Sequence, residues 1–198
     1  MKYLTHILSL LIISVFLSGC AGSKFVRQSD DALVLGETSY QSIVQKMGKP
    51  YREGTVSKNG KMVKTIAYAY ASTGGEGAYP GLTAAARSQG FFFLNDKLVG
   101  YEFLSSWKED STEFDGSKVA QIKEGQTTRK EVEALLGKPG GQYIYPLVAG
   151  ENEKGISYLY NHTKGTAFNL KFYQKTLVIS FRPDAVVSKV EYVENGQI

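Results

Sequence analysis

The chain has few of the residues that metal centres and nucleophilic catalysis require. It contains one cysteine and two histidines in 198 residues, and one of the histidines, His6, lies in an apolar N-terminal segment. Metal sites built from histidine and cysteine are excluded by this count, as are Cys-His pairs and Ser-His-Asp triads with a second supporting histidine. The remaining histidine, His162, follows a predicted strand, and we expect it in a solvated turn at residues 160–165. The single cysteine, Cys20, excludes an intramolecular disulfide.

Other catalytic signatures are also missing. The glycine-rich segment 74–77 lacks the Lys-Ser/Thr pair of a phosphate-binding loop. Asp110, Glu113 and Asp115 form a cluster of carboxylates, but they lie in a polar segment that we predict to be mobile. Catalytic carboxylates must be held on rigid elements. The sequence therefore predicts a protein that is not an enzyme and that uses no cofactor or metal.

The charge is too small and too evenly spread for a nucleic-acid-binding protein. The net charge is +4, and removal of residues 1–19 would leave 22 basic and 19 acidic residues, a net charge of +3. Proteins that bind nucleic acid concentrate basic residues in a patch or stripe. We therefore expect membrane and protein partners and no nucleic acid.

The N-terminus has the features of an export signal. A positively charged start precedes an apolar run at residues 7–17, which is too short for a membrane span of about 20 residues. The sequence LSGC at residues 17–20 resembles the lipobox of bacterial lipoproteins, which implies a signal peptide at residues 1–19 and lipidation of Cys20. In a Gram-negative bacterium, Ala21 after the cysteine implies sorting to the outer membrane, and residues 20–31 are predicted to be a lipidated polar tether. An ordinary secretory signal with an incidental cysteine is the alternative.

The rest of the sequence repeats itself at an offset of about 89 residues. A period of this length predicts a duplicated domain, because the repeats of solenoid proteins are about 20–50 residues long. The copies share a Gly-x-Thr motif, an apolar helix, a Gly-Lys-Pro motif and alternating tyrosines. The matching residues are Gly36, Thr38, Ile43, Gly48, Pro50, Tyr68 and Tyr70 in the first copy, and Gly125, Thr127, Val132, Gly137, Pro139, Tyr158 and Tyr160 in the second.

Each copy predicts two helices followed by an antiparallel meander of three or four strands, so the fold class is α+β with two tandem units. Thr128 and Glu131 have the spacing of a capping box at the start of a helix. The units are predicted at residues 32–104 and 119–198, with a polar linker at residues 105–118. Short helical turns are predicted at Asp30–Leu35 and Lys118–Lys123, and strands of the second unit at Phe168–Tyr173, Thr176–Phe181 and Val186–Val193. In the first unit, Ser72–Gly90 is predicted to replace a strand with a glycine-rich loop that holds one turn at Thr83–Ser88.

Alternation along the strands predicts which face of each sheet packs against the helices. In the second unit this face is assigned the large apolar residues Ile156, Tyr158, Tyr160, Phe168, Leu170, Phe172, Ile179 and Phe181. The opposite face carries the predicted partner-binding residues Lys171, Tyr173, Arg182, Lys189 and Glu191, although a merely solvated face fits the pattern equally well. In the first unit the corresponding face is apolar, so we expect the second unit, the Ser72–Gly90 loop or a partner to cover it. Its residues are Ala67, Ala69, Phe92, Leu94, Leu98 and Gly100.

A lipobox, a helix that ends in apolar-Gly-x-Pro and a Tyr-x-Tyr strand together resemble the SmpA/OmlA, or BamE-like, family of outer-membrane lipoproteins. The best-known member has one such unit and is an accessory of the machinery that inserts β-barrels. The resemblance implies a periplasm-facing, outer-membrane-anchored module that binds or scaffolds proteins in envelope assembly or maintenance. Paired units also resemble the architecture of the β-lactamase inhibitor protein, so inhibition of an exported hydrolase is the first alternative. Binding of peptidoglycan or another glycan is the second.

The repeated Gly-Lys-Pro motif predicts how both helices end. Gly48 and Gly137 are expected in the left-handed conformation just past each helix, where a Cβ is unfavourable. Pro50 and Pro139 then stop the helix and turn the chain toward the first strand. The intervening lysines are expected to be solvated.

Overall fold

In the part of the chain that the structure describes, eight antiparallel strands form one sheet in the order in which they occur in the sequence. The structure is a computed structural model that describes residues 22–73, 82–166 and 168–196. The predicted signal peptide and Cys20 therefore lie outside the described residues. The strands are β1 (Arg52–Lys58), β2 (Lys61–Thr73), β3 (Leu82–Leu94), β4 (Lys97–Ser105), β5 (Gly141–Ile144), β6 (Lys154–Thr166), β7 (Asn169–Phe181) and β8 (Val187–Gly196).

The same order of elements occurs twice. A 3-10 turn at Asp30–Ala32 and helix α1 (Tyr40–Met47) precede β1–β4, and a 3-10 turn at Gly116–Gln121 and helix α2 (Arg129–Leu136) precede β5–β8. The fold is of the α+β class, but each half has one α-helix and one short 3-10 turn where two helices were predicted. Below, the first half means residues 22–105 and the second half means residues 106–196.

Side-chain caps begin both helices. The Ser39 hydroxyl accepts a hydrogen bond from the Ser42 amide at 3.1 Å. At α2, Thr128 and Glu131 form the predicted capping box, in which the Glu131 carboxylate accepts from the Thr128 amide at 2.7 Å. Each cap satisfies amide groups that a helix leaves unpaired at its N-terminus.

The strand register places both helices on the same face of the sheet. β4 pairs with β5 across the boundary between the halves, with Tyr101 opposite Gln142. One row of helix-side residues therefore runs through both halves: Ile66, Phe91, Tyr101, Gln142, Ile156, Ile179 and Val190. Ile43 of α1 packs with the first part of this row and Val132 of α2 with the second, and each is at most 1% exposed. We call this the helix face and the other side the open face.

The predicted loop at Ser72–Gly90 is wrong for most of its length. Residues from Leu82 onward form β3, which pairs with β2 and β4 and, at its start, with β6. The segment 74–81 lies outside the described residues. The alanine-rich sequence at 83–88 has low intrinsic strand propensity, and hydrogen bonding to neighbouring strands overrides it.

The predicted facing of the second half is also partly wrong. The segments Phe168–Tyr173 and Thr176–Phe181 belong to one strand, β7, whose pairing with β6 is unbroken from Asn169 to Phe181. An uninterrupted strand keeps strict alternation, so Phe172 and Leu170 face away from Ile179. Leu170 and Phe172 are consequently exposed, as is Phe168, whereas Ile156, Tyr158, Tyr160, Ile179 and Phe181 are buried on the helix face.

The segments predicted as tether and linker are packed against the sheet. Gly22 pairs with Tyr70, and the Phe25 ring lies 6.2 Å from that of Tyr68. In the second half, Phe114 is buried and its ring lies 5.6 Å from that of Tyr158. The predictions of a tether through residue 31 and of a mobile linker were therefore wrong, because each segment carries one phenylalanine that packs on a core tyrosine.

The open face of the first half is covered in part by the second half. Tyr143 of β5 and Leu147 of the following loop lie so close to Gly100 that a Cβ there would be 2.3 Å from Leu147 Cδ1. The Asn59 side chain donates hydrogen bonds to the carbonyls of Pro146 and Val148 at 3.0 and 2.8 Å. Of the three coverings predicted from sequence, this is the second unit. Leu98 was also assigned to this face from the sequence, and that assignment is wrong, because Leu98 is buried on the helix face.

Candidate partner-binding groove

A groove of about 640 Å³ lies on the helix face of the second half. One wall is the extended segment that leads into the 3-10 turn, and the other is formed by β7 and β8. We call it the acidic groove, and define it by Ser111, Glu113, Phe114, Asp115, Gly116, Ser117, Tyr173, Lys175 and Glu194.

Lys175 forms the floor of the acidic groove. Its side chain is 7% exposed, and its ammonium group donates a hydrogen bond to the Phe114 carbonyl. The same group lies 3.9 Å from a Glu113 carboxylate oxygen and 4.8 Å from the centre of the Phe114 ring. A buried ammonium group needs such partners to offset its loss of hydration. Lys175 therefore serves to tie the entering segment to β7.

The carboxylates at the rim give the groove its charge. Glu194 accepts hydrogen bonds from Tyr192 at 2.6 Å and Tyr173 at 2.7 Å, and these bonds lower the pKa of the carboxyl. A hydrogen bond from Ser117 likewise lowers the pKa of Asp115. Burial raises the pKa of Tyr173 to about 12, so that phenol stays neutral and donates. Together with Glu113, these residues place three carboxylates at the rim around Lys175, whose ammonium group already has partners within the protein. This excess of negative charge suits a basic side chain of a partner.

The corresponding position in the first half is narrower, with a cavity of about 210 Å³. Arg87 lies opposite Tyr70 in the sheet as Lys175 lies opposite Tyr160. Trp107 stacks on Tyr70 with ring centres 5.7 Å apart, and Arg87 lies 5.0 Å from its ring. Glu109 and Asp110 bind the same guanidinium at 2.9 and 3.1 Å. The first half therefore occupies with its own side chains much of the space that the second half leaves open.

The five predicted partner-binding residues do not form one surface. Tyr173 lines the acidic groove, and Lys171 shares its helix-face parity farther along β7. Lys189 and Glu191 pair with each other at 2.8 Å on the open face, and Arg182 contacts Asp184 beyond the end of β7. Their role in binding stays a prediction.

Sequence reasoning missed Lys175 and Glu194. The signal available was the repeat itself, because Arg87 and Lys175 are cations that lie directly opposite the matching tyrosines Tyr70 and Tyr160 on the adjacent strand. The prediction that His162 lies in a solvated turn is wrong. It lies in β6, is 8% exposed, and has its ring 4.9 Å from that of Tyr173. Burial lowers the pKa of its imidazole, with Lys164 adding to the effect.

The Gly-Lys-Pro motifs hold equivalent positions below the two helices. The Tyr68 hydroxyl donates to the Gly48 carbonyl at 2.7 Å, and the Tyr158 hydroxyl donates to the Gly137 carbonyl at 2.8 Å. Both glycines have positive φ, +78° and +85°, but their ψ values are −162° and −166°. They are therefore not left-handed helical, as predicted, but lie in a region that is almost restricted to glycine.

Lys138, predicted to be solvated, is exposed but paired. Its ammonium group lies 2.7 Å from an Asp30 carboxylate oxygen, and its side chain is 77% exposed. Within the described residues, no helix is long and apolar enough to span a membrane. The same part of the chain has no group of three or more His, Cys, Asp or Glu side chains placed to hold a metal ion.

Comparison with known proteins identifies a domain in the second half. Residues 112–191 match the outer membrane protein assembly factor BamE domain, so the predicted BamE-like resemblance is confirmed there. The chain is also similar to the crystal structure of a candidate β-lactamase inhibitor protein from Streptococcus mutans, with a TM-score of 0.40 and 11% identity, over 79% of this chain and 82% of that chain. No curated protein matches the sequence.

Proposed function

We propose that this protein is an outer-membrane lipoprotein, anchored through Cys20, whose periplasm-facing body binds protein partners in cell-envelope assembly or maintenance. The observation that carries the proposal is the match of residues 112–191 to the BamE domain, which is named for an outer membrane protein assembly factor. The lipobox at residues 17–20 and Ala21 after it support the anchor and its destination.

The acidic groove is the partner-binding site in this proposal. It lies mainly within the matched residues, it is open, and its rim carries Glu113, Asp115 and Glu194. Charged groups around an open concave surface favour a partner of opposite charge and orient it. We expect the partner to insert a lysine or arginine side chain beside Tyr173.

We further propose that the two halves are copies of one unit. The repeated order of elements supports this, as do the matching Tyr–Gly hydrogen bonds below α1 and α2. Phe25 and Phe114 occupy matching places against Tyr68 and Tyr158. These contacts support a first unit that starts near residue 22, ahead of the boundary at 32 that the sequence predicted.

Affinity capture with a matched pair of variants tests the proposal. The lipidated protein would be cross-linked in its native envelope and recovered with bound proteins. Glu113 has a 54% exposed side chain on the groove rim, and Glu151 is an exposed glutamate in the loop between β5 and β6. Glu113→Gln should weaken recovery of a partner by roughly fivefold, about 1 kcal/mol, and Glu151→Gln should leave it unchanged. Equal recovery with both variants would move the binding site elsewhere, and no reproducible partner would contradict the function.

A non-enzymatic role belongs to the same proposal. His162 is packed against Tyr160 and Tyr173 and does not face the acidic groove as a general base would. Inhibition of an exported hydrolase and binding of a glycan stay hypotheses. Adding the protein to periplasmic β-lactamases, or to muropeptides, would test them.

A further inference from the structure

The tip of the β6–β7 hairpin exposes apolar side chains. Phe168, Leu170 and Phe172 are 101%, 42% and 64% exposed. Single exposed apolar residues are common on soluble proteins, but several close together at one end of a hairpin indicate an interaction surface. We call Lys164–Thr166 and Phe168–Phe172 the hairpin tip.

The hairpin tip also carries two lysines that repel each other. Lys164 and Lys171 are direct cross-strand partners, an arrangement that destabilises a hairpin when both residues have the same charge. Across the described ranges, neither lysine forms an ion pair with a carboxylate. They project from the helix face, whereas Leu170 and Phe172 project from the open face. An anionic surface that contacts the tip would relieve this repulsion.

The position of the N-terminal segment connects the hairpin tip to a membrane. Gly22 pairs with Tyr70 near the end of β2. Cys20 precedes Gly22 by two residues in the sequence, and two residues span about 7 Å at most. A row of paired residues crosses the sheet from the end of β2 to the tip: Thr73, Ala84, Thr163 and Phe172. A lipid on Cys20 would therefore hold this end of the sheet close to the bilayer.

We infer that the hairpin tip inserts Phe168, Leu170 and Phe172 into the headgroup region of the bilayer that anchors Cys20, while Lys164 and Lys171 contact lipid phosphates. The inference rests on the lipidation of Cys20 in the proposed function. Apolar side chains beside lysines suit this interface, because aromatic rings lie at headgroup depth and lysine stems reach outward to the phosphates. The short link between Cys20 and Gly22 favours a membrane surface over a protein as the partner of the tip, because a lipid on Cys20 would hold the bilayer nearby.

Tryptophan fluorescence in vesicles tests the inference. The chain has one tryptophan, so Trp107→Phe provides a silent background. Phe172→Trp places a probe at the tip, and Met62→Trp places a control at the opposite end of β2, where the native side chain is 65% exposed. The mature lipidated variants would be reconstituted into phosphatidylcholine vesicles with and without phosphatidylglycerol, using lipids brominated in their acyl chains. Mass spectrometry of the N-terminal peptide would establish the acyl groups on Cys20 in each preparation.

The expected result is quenching of the tip probe at least about twice that of the control, with a blue-shifted emission. Omitting phosphatidylglycerol, or introducing Lys164→Gln with Lys171→Gln, should reduce the quenching. Equal quenching of both probes in acylated protein would overturn the inference and leave the anchor intact. If the emission of the tip probe shifts to the blue only after envelope proteins are added, the tip binds a protein partner, and the inference is also overturned. Absence of acyl groups would overturn the anchor and this inference together.

Discussion

Replacing Gly137 isolates the cost of one backbone conformation. Its φ of +85° and ψ of −166° lie in a region where a side chain costs about 1–3 kcal/mol. A Cβ at this position would meet nothing within 4 Å, so a new steric contact adds no further term. Alanine also restricts the unfolded chain, which returns about 0.4–1 kcal/mol. The net destabilisation expected for Gly137→Ala is therefore about 1–2 kcal/mol.

This free energy translates into a measurable shift of the melting temperature. For a chain of this length, about 1 kcal/mol corresponds to about 2–4 °C, so Gly137→Ala should lower Tm by roughly 2–8 °C in a thermal unfolding curve followed by circular dichroism. Lys138→Ala is the matched control. It removes an exposed ion pair with Asp30, and such pairs contribute about 0–1 kcal/mol.

Asparagine distinguishes the observed backbone from the one predicted from sequence. Asparagine tolerates the left-handed helical region but gains nothing at a ψ near 180°. Gly137→Asn should therefore destabilise the protein about as much as Gly137→Ala, and Gly137→Val should do so at least as strongly. An asparagine variant with wild-type Tm, or a Lys138→Ala variant as unstable as Gly137→Ala, would refute the reasoning.

Three further changes test other contacts. Tyr158→Phe leaves the Gly137 carbonyl without its 2.8 Å donor and should cost about 1–3 kcal/mol in urea unfolding; a neutral result would mean that water replaces the hydroxyl. Val148→Ala truncates a side chain that is 3% exposed and packs against Gly155 of β6, and it should cost about 2 kcal/mol, whereas an unchanged midpoint would show that this packing contributes no stability. Burial lowers the pKa of His162 below 6.5, so the unfolded state binds a proton at a higher pH than the folded state does. The free energy of unfolding of the wild type should therefore fall more than that of His162→Phe between about pH 7.5 and 5. Parallel pH profiles of the two proteins would contradict this.

Local signals in the sequence predicted the helices and the hairpins. Thr128 and Glu131 form a capping box whose chemistry depends only on two residues three positions apart. The turn at 95–96 follows from Asn95 and Asp96, both of which have positive φ. Such features are independent of the rest of the chain, so one sequence is enough to find them.

The facing of β7 could not be predicted locally. Gln174 and Lys175 interrupt the apolar pattern and suggest a break between two strands. Lys175 instead stays in the strand because its ammonium group reaches the carbonyl of Phe114, 61 residues away in sequence. A buried charge with a distant partner leaves no periodic signal in the sequence. For this reason Leu170 and Phe172 were assigned to the wrong face of the sheet. The acidic groove was missed for the same reason.

β1 and β5 show why the junction between the halves was also invisible. Both follow a Gly-Lys-Pro motif, but the first continues with Tyr51 and Arg52 and the second with Gly140 and Gly141. β1 is exposed along its whole length, whereas β5 lies between β4 and β6. A Cβ at Gly141 would lie 2.4 Å from the Tyr101 carbonyl oxygen, so a side chain there would push β4 away. Considered alone, the Gly-Gly pair predicts a turn. Only the contrast between the halves indicates its role, because β5 is paired on both sides and has no room for side chains such as those that the exposed β1 carries.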